Sequence, residues 1–382
     1  MVFDLAVIGG GPAGLIAARE ASRKGLDVIL FEEDPEIGEP ERCAGLLNLA
    51  GLRRLSIPLS RKYVQNILSG AIFYVCGKSY VIDAQRPVAA VVNRKHFDQE
   101  LARQAEKAGA QILCETRVKD VEKKMNSLML RTTSGDFHAS WVIDAEGAGA
   151  MLLRKFLGVC TNESKWIPII QLLVEDHELD KRYAHIYFKK YLPDFFAYLI
   201  PIDQSFGKLG VASRGINLEK CLHRFLAEEF PNVRILKEIR YVIYTGFPLD
   251  YLDFSKRFIP VGDAAGHVKA TTGGGVIMGG LISMNIASAI AEIVGNGNPT
   301  PFIENAIQII RELRRIALLR TILQKIPQSL YGLFLGVASS ETAGMRIASF
   351  WDMDFQVSSL VSGLLGRRFG LYYSSRGFSR NE

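Results

Sequence analysis

Cysteine is scarce in this chain. The five present, Cys43, Cys76, Cys114, Cys160 and Cys221, are odd in number and show no CxxC or metal-ligand spacing. A disulfide framework and a metal cluster are therefore not expected, and a reducing, cytoplasmic setting is. Long hydrophobic runs are also wanting. The most apolar stretch, Gly275 to Ala291, falls short of the roughly 20 residues a bilayer crossing needs and opens on glycine, which predicts a buried helix. The opening residues MVFDLAVIGGGPAGL carry no basic start, and Asp4 interrupts the apolar run, so no signal peptide is read. Internal repeats and low-complexity segments are absent. The basic residues are not interleaved with aromatics in any binding motif, which argues against nucleic acid as a partner.

What remains is an ordinary globular composition: 48% apolar and 23% charged over 382 residues, with a net charge of +6. That length predicts two or three lobes and an ample core. The surplus of positive charge suits an anionic partner or surface. Near the start, Phe3–Ile8 is a strand-like apolar run and Gly9–Gly14 a turn. Pro12–Lys24 has helical spacing, and Asp27–Phe31 is a second strand. This β-turn-α-β unit supports a parallel sheet. About 55 irregular residues follow, with strands predicted at Ala71–Val75 and Ser79–Ile82. A helix over Asn93–Ala108 and strands at Gln111–Cys114, Val118–Val121, Leu128–Thr132 and Trp141–Ala145 come next. From Ile167 to Tyr251 the pattern is strand-rich, with one helix at Leu218–Phe230. Phe258–Gly262 returns as a strand, Gly275–Val294 is a helix, and the chain beyond Pro301 reads as helical. The expected class is α/β with an α+β second layer. Its parts are a discontinuous Rossmann-like domain with a parallel sheet (1–165 with 252–300), an antiparallel-sheet substrate domain (166–251) and a C-terminal helical region (301–382).

Gly9-Gly10-Gly11-Pro12-Ala13-Gly14 is GxGxxG between a strand and a helix. The first glycine permits the tight turn, Gly11 lets backbone approach a pyrophosphate, and Gly14 lets helix and strand pack closely. The helix N-terminus then turns its N–H groups toward the phosphates. Glu32 ends the next strand, eighteen residues after Gly14. It is placed to accept bonds from ribose hydroxyls, with Glu33 as the alternative. A second glycine cluster lies some 250 residues on. KRFIPVGDAAG ends a strand at Gly262-Asp263, and Thr271-Thr272-Gly273-Gly274-Gly275 opens an apolar helix.

This arrangement resembles the second FAD fingerprint of the para-hydroxybenzoate hydroxylase-like flavoproteins. The resemblance implies FAD as cofactor, with Asp263 at its ribityl chain and Gly262, Gly274 and Gly275 near flavin and phosphates. Asn93-Arg94-Lys95-His96-Phe97-Asp98 before a helix is also like that group and places Arg94 near the flavin, and Val118 is placed at the cofactor on the same basis. VIDAEGAG departs from the group's Ala-Asp-Gly pattern. Glu146 stands where the Asp is usual and Ala150 near the usual Ser, while Arg154 remains, and contact with NADPH through this segment is put in doubt. Pro40-Glu41-Arg42-Cys43-Ala44-Gly45-Leu46 and Pro193-Asp194-Phe195-Phe196-Ala197-Tyr198-Leu199-Ile200-Pro201 resemble segments of the geranylgeranyl reductase family, over residues 1–300. Phe196, Tyr198 and Ile200 replace the family's Tyr, Trp and Phe, while Pro193 and Pro201 are kept.

The resemblance implies reduction of C=C bonds in isoprenoid chains, on a prenyl lipid or prenyl diphosphate, by hydride from N5 of reduced flavin. Arg42, Cys43 and Ala44 would lie by the cofactor, and Phe196, Tyr198 and Ile200 would line the substrate slot. Cys43 is the candidate for a catalytic role, and His267, directly after GDAAG, is a weaker one. A small buried hydrophobe is the alternative for Cys43, and plain sheet core for the three lining residues. The electron donor stays open between NAD(P)H, ferredoxin and another carrier. A flavin monooxygenase of an apolar compound, an electron-transfer flavoprotein-quinone oxidoreductase and a non-catalytic carrier are the competing readings. From Asn305 onward Lys and Arg outnumber Asp and Glu by ten to five. Arg311, Arg314, Arg315, Arg320 and Lys325 stand among Ile and Leu, as in a helix lying on the inner face of a membrane. A helix packed on the core with a solvated basic face is the alternative.

Overall fold

The computed structural model describes residues 2–339 and 352–365. Of the expected helical region, 340–351 and 366–382 lie outside the described residues. The first sheet forms where short runs are apolar on both faces. β1 (Val2–Ile8), β2 (Val28–Phe31), β8 (Gln111–Leu113), β11 (Gly135–Asp144) and β17 (Phe258–Pro260) run parallel, in the order β8-β2-β1-β11 with β17 beside β11. β9 (Val118–Lys123) and β10 (Leu128–Thr132) extend it as an antiparallel ribbon. The register decides where function sits. Ile8 is opposite both Phe31 and Asp144, and Asp144 is opposite Pro260. Three parallel strands and β17 therefore end at one level, and the turns after them share one crevice.

Helices α1 (Pro12–Arg23), α3 (Arg94–Ala108) and α6 (Val276–Val294) cover one face of this sheet, on a core that includes Val7, Leu15, Phe97, Ile143 and Leu281. α4 (Met151–Leu157) packs with the ribbon on the other face. α6 is long and apolar enough to cross a membrane by length and composition, yet 78% of its most apolar stretch is buried within the protein. It is a core helix, as its sequence predicts.

The second sheet has seven strands, ordered β16-β12-β15-β14-β13-β5-β6. These are β5 (Gly70–Val75), β6 (Lys78–Asp83), β12 (Trp166–Glu175), β13 (Tyr183–Phe188), β14 (Ala197–Pro201), β15 (Gly207–Ala212) and β16 (Arg234–Tyr244). Residues 70–83, assigned from sequence to the first lobe, thus join the second sheet. β5 pairs in parallel with β13 across a crossover of more than a hundred residues, and a distant partner leaves no mark on local periodicity. Alternation splits β14 between two cores. Leu199 faces Leu209, Phe225 and α5 (Leu218–Glu229). Tyr198 and Ile200 face Ile167, Ile169, Ala44 and Leu46, at the seam with the first lobe.

The stretch read as irregular holds a third, three-stranded sheet of β3 (Leu46–Asn48), β7 (Ala89–Val92) and β4 (Val64–Leu68), with α2 (Leu49–Arg54) capped by the Asn48 side chain. At the far end come α7 (Thr300–Leu323), α8 (Gln328–Ala338) and α9 (Gln356–Leu365). α7 buries Ile309, Ile310 and Leu313 on the first lobe. Buried Glu312 accepts the N–H groups of Val357 and Ser358 and the Ser358 hydroxyl, and so caps α9.

Candidate functional site

The glycine turn has the shape its sequence predicts. Gly9 has φ of +99°, and a Cβ there would meet the Ala145 carbonyl oxygen at 2.3 Å. A Cβ on Gly14 would lie 2.0 Å from the Gly9 oxygen, so α1 seats on β1 only with glycine there. Gly11 differs. Its φ of −73° suits any residue, and a Cβ would meet nothing within 4 Å. Glycine at 11 is unnecessary for the chain's own packing and leaves room at the N-terminus of α1. No side chain caps that terminus, and Pro12 occupies its first turn. N–H groups facing an open cradle suit a diphosphate.

Glu32 accepts the Gly10 N–H at 2.6 Å and the Asp34 N–H at 2.9 Å, which fixes the carboxylate beside the cradle. Glu33 is exposed and pairs with Arg117 at 3.3 Å, so Glu32 is the one brought to the turn. The second cluster meets the first. Gly262 has φ of +64°, and a Cβ on it would come within 2.9 Å of Ala13 Cβ. Asp263 Oδ1 would lie 3.0 Å from a Cβ on Gly275, and burial raises its carboxyl pKa against the opposing pull of Arg94. Gly274 rides over the Lys269 side chain. Lys269 in turn bonds Asp354 at 2.6 Å and the Met353 carbonyl at 3.1 Å, so the segment before α9 clasps the loop that opens α6. Thr271 Oγ1 donates to Gln356 at 2.6 Å in the same clasp.

Arg94 is gripped by Asp98 through two bonds, of 3.1 and 2.8 Å. Burial pulls its pKa down, but Asp98 and Cys43 outweigh that and raise it. The carbonyl of Cys43 accepts the Gln171 amide at 3.2 Å, and its Sγ accepts the Gly45 N–H at 3.3 Å. Gln171 Oε1 accepts hydroxyls from Tyr198 at 2.8 Å and Tyr241 at 2.9 Å. Burial pushes both phenols above their usual range, so they stay protonated. A second link crosses the seam. Lys208 donates to Glu41 at 2.6 Å and to the Val92 carbonyl at 3.1 Å, while Glu41 also accepts the Arg94 N–H at 3.1 Å. Cys43, Arg94, Asp263 and Tyr198 are thus brought together at the interface of the two sheets. Ile200 is buried beside them, and Phe196 is stacked on Phe195.

The remaining predicted positions differ in their burial and partners. Arg42 is exposed and Ala44 half-buried. The Val118 side chain is buried in the core with Ile8 and Phe31. Glu146 accepts the Leu153 N–H at 3.0 Å, and Arg154 pairs with exposed Glu163. Asp144, fully buried at the end of β11, is pushed well above the carboxylate range by burial and by Glu146. His267 is buried, its N–H bonds the Gly262 carbonyl at 2.9 Å, and burial holds its imidazole down to about 3. A neutral ring of this kind is no acid at ordinary pH. Three of the four arginines of α7 have partners, while Arg311 is exposed. Arg320 is buried on the Asp194 carbonyl at 2.6 Å, Arg314 pairs with Asp250 at 2.9 Å and Arg315 with Glu312 at 3.5 Å. Sequence reading missed Gln171, Tyr241, Glu41, Lys208 and Asp98. Lys208 within the apolar run of β15 and the i,i+4 spacing of Arg94 and Asp98 were the available signals.

Two family models described as FAD dependent oxidoreductase match residues 4–155 and 84–284. Digeranylgeranylglycerophospholipid reductase of Methanosarcina acetivorans is 31% identical over 300 residues, covering 72% of each chain. The protein of that name from Methanothrix thermoacetophila is 29% identical over 315 residues, covering 78% of this chain and 80% of its own. Among solved structures, a geranylgeranyl bacteriochlorophyll reductase-like protein of Thermoplasma acidophilum superposes with a TM-score of 0.82 at 22% identity, over 95% of this chain and 99% of its own. The cradle at Gly11, the fixed Glu32 and the abutting Gly262 fit FAD, and with these matches the chain belongs to the geranylgeranyl reductase family of FAD-dependent oxidoreductases.

Proposed function

We propose that the protein saturates C=C bonds in isoprenoid chains of membrane-lipid precursors, using FAD reduced by an external donor. The observation that carries this reading is the convergence of Gly9–Gly14 and Gly262–Gly275 in a chain whose 31%-identical relative is named a digeranylgeranylglycerophospholipid reductase. Bound FAD, once reduced, supplies the hydride. The protein supplies placement and a proton. α1 offers its N-terminal N–H groups to the diphosphate, and Glu32 accepts from the ribose. Asp263, just after β17, and Arg94, at the start of α3, both belong to the first lobe and would hold the rest of the cofactor. Phe196, Tyr198 and Ile200 offer the prenyl chain an apolar wall, where each buried CH₂ gains about 0.8 kcal/mol. Holding the alkene still is the largest contribution available to such a site. The proton for the second carbon is held at Cys43 Sγ or at the hydroxyls of Tyr198 and Tyr241.

Mass spectrometry of lipids from a host with and without the protein tests the reading. Prenyl lipids heavier by multiples of two mass units are the expected result, and an unchanged profile contradicts it. Oxygen uptake coupled to substrate would instead indicate a monooxygenase of the same fold.

A further inference from the structure

α8 buries none of its residues. Leu330, Leu333, Phe334 and Val337 are 44%, 64%, 60% and 58% exposed, and their spacing puts them on one stripe of the helix. Leu318 and Ile322, a turn apart near the end of α7, are exposed as well. The opposite side of α8 is seated. Tyr331 donates to the Leu323 carbonyl at 2.6 Å, and the Gln328 amide bonds the Lys189 carbonyl at 3.3 Å. A Cβ on Gly332 would come within 2.9 Å of the Tyr80 hydroxyl of β6. A helix held this firmly, with four large apolar residues in water, marks an interaction surface.

Two observations select the partner. Exposed lysines stand in three segments that adjoin α8: Lys78 at the start of β6, whose Tyr80 meets Gly332; Lys190, next to the residue whose carbonyl takes the Gln328 amide; and Lys325 in the α7–α8 link. An apolar stripe with cations in the adjoining segments fits a bilayer with anionic headgroups. The seated side of α8 also leads toward the site. Tyr331, between Leu330 and Leu333 in sequence, packs edge-on against Phe188 at 5.3 Å, Phe188 meets Phe196 at 6.1 Å, and Phe196 stacks on Phe195 at 4.2 Å. An aromatic row thus leads from beneath α8 to the segment expected to line the substrate slot.

We propose that α8, rather than the basic face of α7, is the surface set against an anionic lipid bilayer. Tyr331, Phe188 and Phe196 mark the way by which a prenyl chain passes inward. The route rests on the functional reading above; the docking face does not.

Flotation of the FAD-loaded protein with vesicles tests the proposal. Vesicles containing phosphatidylglycerol should carry the protein, and pure phosphatidylcholine should carry far less. Lys325→Glu should weaken the anionic binding by roughly tenfold, and the exposed pair L333D/F334D by about a hundredfold or more. FAD content and melting temperature should stay unchanged, as should turnover of detergent-solubilised substrate, while turnover of vesicle-embedded substrate falls with binding. Absence of vesicle binding by the unaltered protein overturns the proposal. So does undiminished binding by L333D/F334D, which would place the stripe under the chain's own residues. So does a self-associated form that the same variant dissociates. Vesicle binding without prenyl reduction in detergent would leave the docking face standing and defeat the functional reading.

Discussion

Replacing Lys208 by Met deletes a buried charge while keeping the length of its stem. The Lys208 and Glu41 side chains are 6% and 18% exposed, 2.6 Å apart, and belong to different lobes. Removing the cation leaves the Glu41 carboxylate with the Arg94 N–H as a remaining donor and deprives the Val92 carbonyl of a bond. Breaking a buried pair from one side costs about 3–5 kcal/mol. At about 2.1 cal/mol/K per residue the unfolding entropy of 382 residues is roughly 0.8 kcal/mol/K, so the melting temperature should fall by about 4–6 °C. Thermal melting followed by circular dichroism, with released FAD read by fluorescence in the same sample, measures both effects. FAD should leave before the fold is lost, because the pair fixes the loop carrying Cys43. The double variant K208M/E41Q should recover most of the loss, since both charges are then gone. A drop under about 1 °C, or a double variant no better than the single, would refute the claim that this pair ties the lobes.

Other substitutions read different parts of the site. Gly11→Val should leave the melting curve of FAD-free protein unchanged while abolishing FAD binding, because its side chain would occupy only the open cradle; Gly14→Val should fail to fold, with its Cβ driven into the Gly9 carbonyl. Tyr198→Phe, Tyr241→Phe and Cys43→Ser separate the three proton bearers, and single-turnover rates should drop by a factor of roughly 10² to 10⁴ for the true one alone. His267 governs an acid limb. Its folded pKa of about 3 lies below the ordinary 6.5, so the unfolded chain binds a proton that the folded chain refuses. Its contribution is complete above pH 6.5 and is lost as pH falls toward 3, by up to about 1.4 kcal/mol per pH unit. His267→Gln should flatten urea-denaturation stability over that window, and an unchanged slope would show that the ring is not buried neutral.

Local rules carried the first lobe. The β-turn-α-β unit at the start, the glycine turn and α6 follow from short apolar runs, from residues that alone tolerate the turn's angles, and from uninterrupted apolar composition. The strands of the region read as irregular stayed hidden because Leu46–Asn48 and Ala89–Val92 are too short for a period to register, and their partners are distant. The same reason explains β5 against β13. Within the site, residues that act through the turn of their own backbone, such as Gly9, Glu32 and Gly262, were legible. Those that act through a partner more than a hundred positions away, such as Lys208 with Glu41 and Gln171 with Cys43, were not. Glu33 and Val118 had suitable positions in sequence, but alternation along the chain turns one to solvent and the other into the core.

The central claim is that reduced flavin held by this chain delivers its electrons to an isoprenoid double bond. Anaerobic mixing of the reduced holoprotein with geranylgeranyl lipid, followed by absorbance and then by product mass, tests it in a single turnover. The expected result is return of the oxidised-flavin spectrum, with one product heavier by two hydrogens for each flavin reoxidised. A reduced spectrum that persists over every prenyl lipid supplied, with the substrate recovered intact, would contradict it.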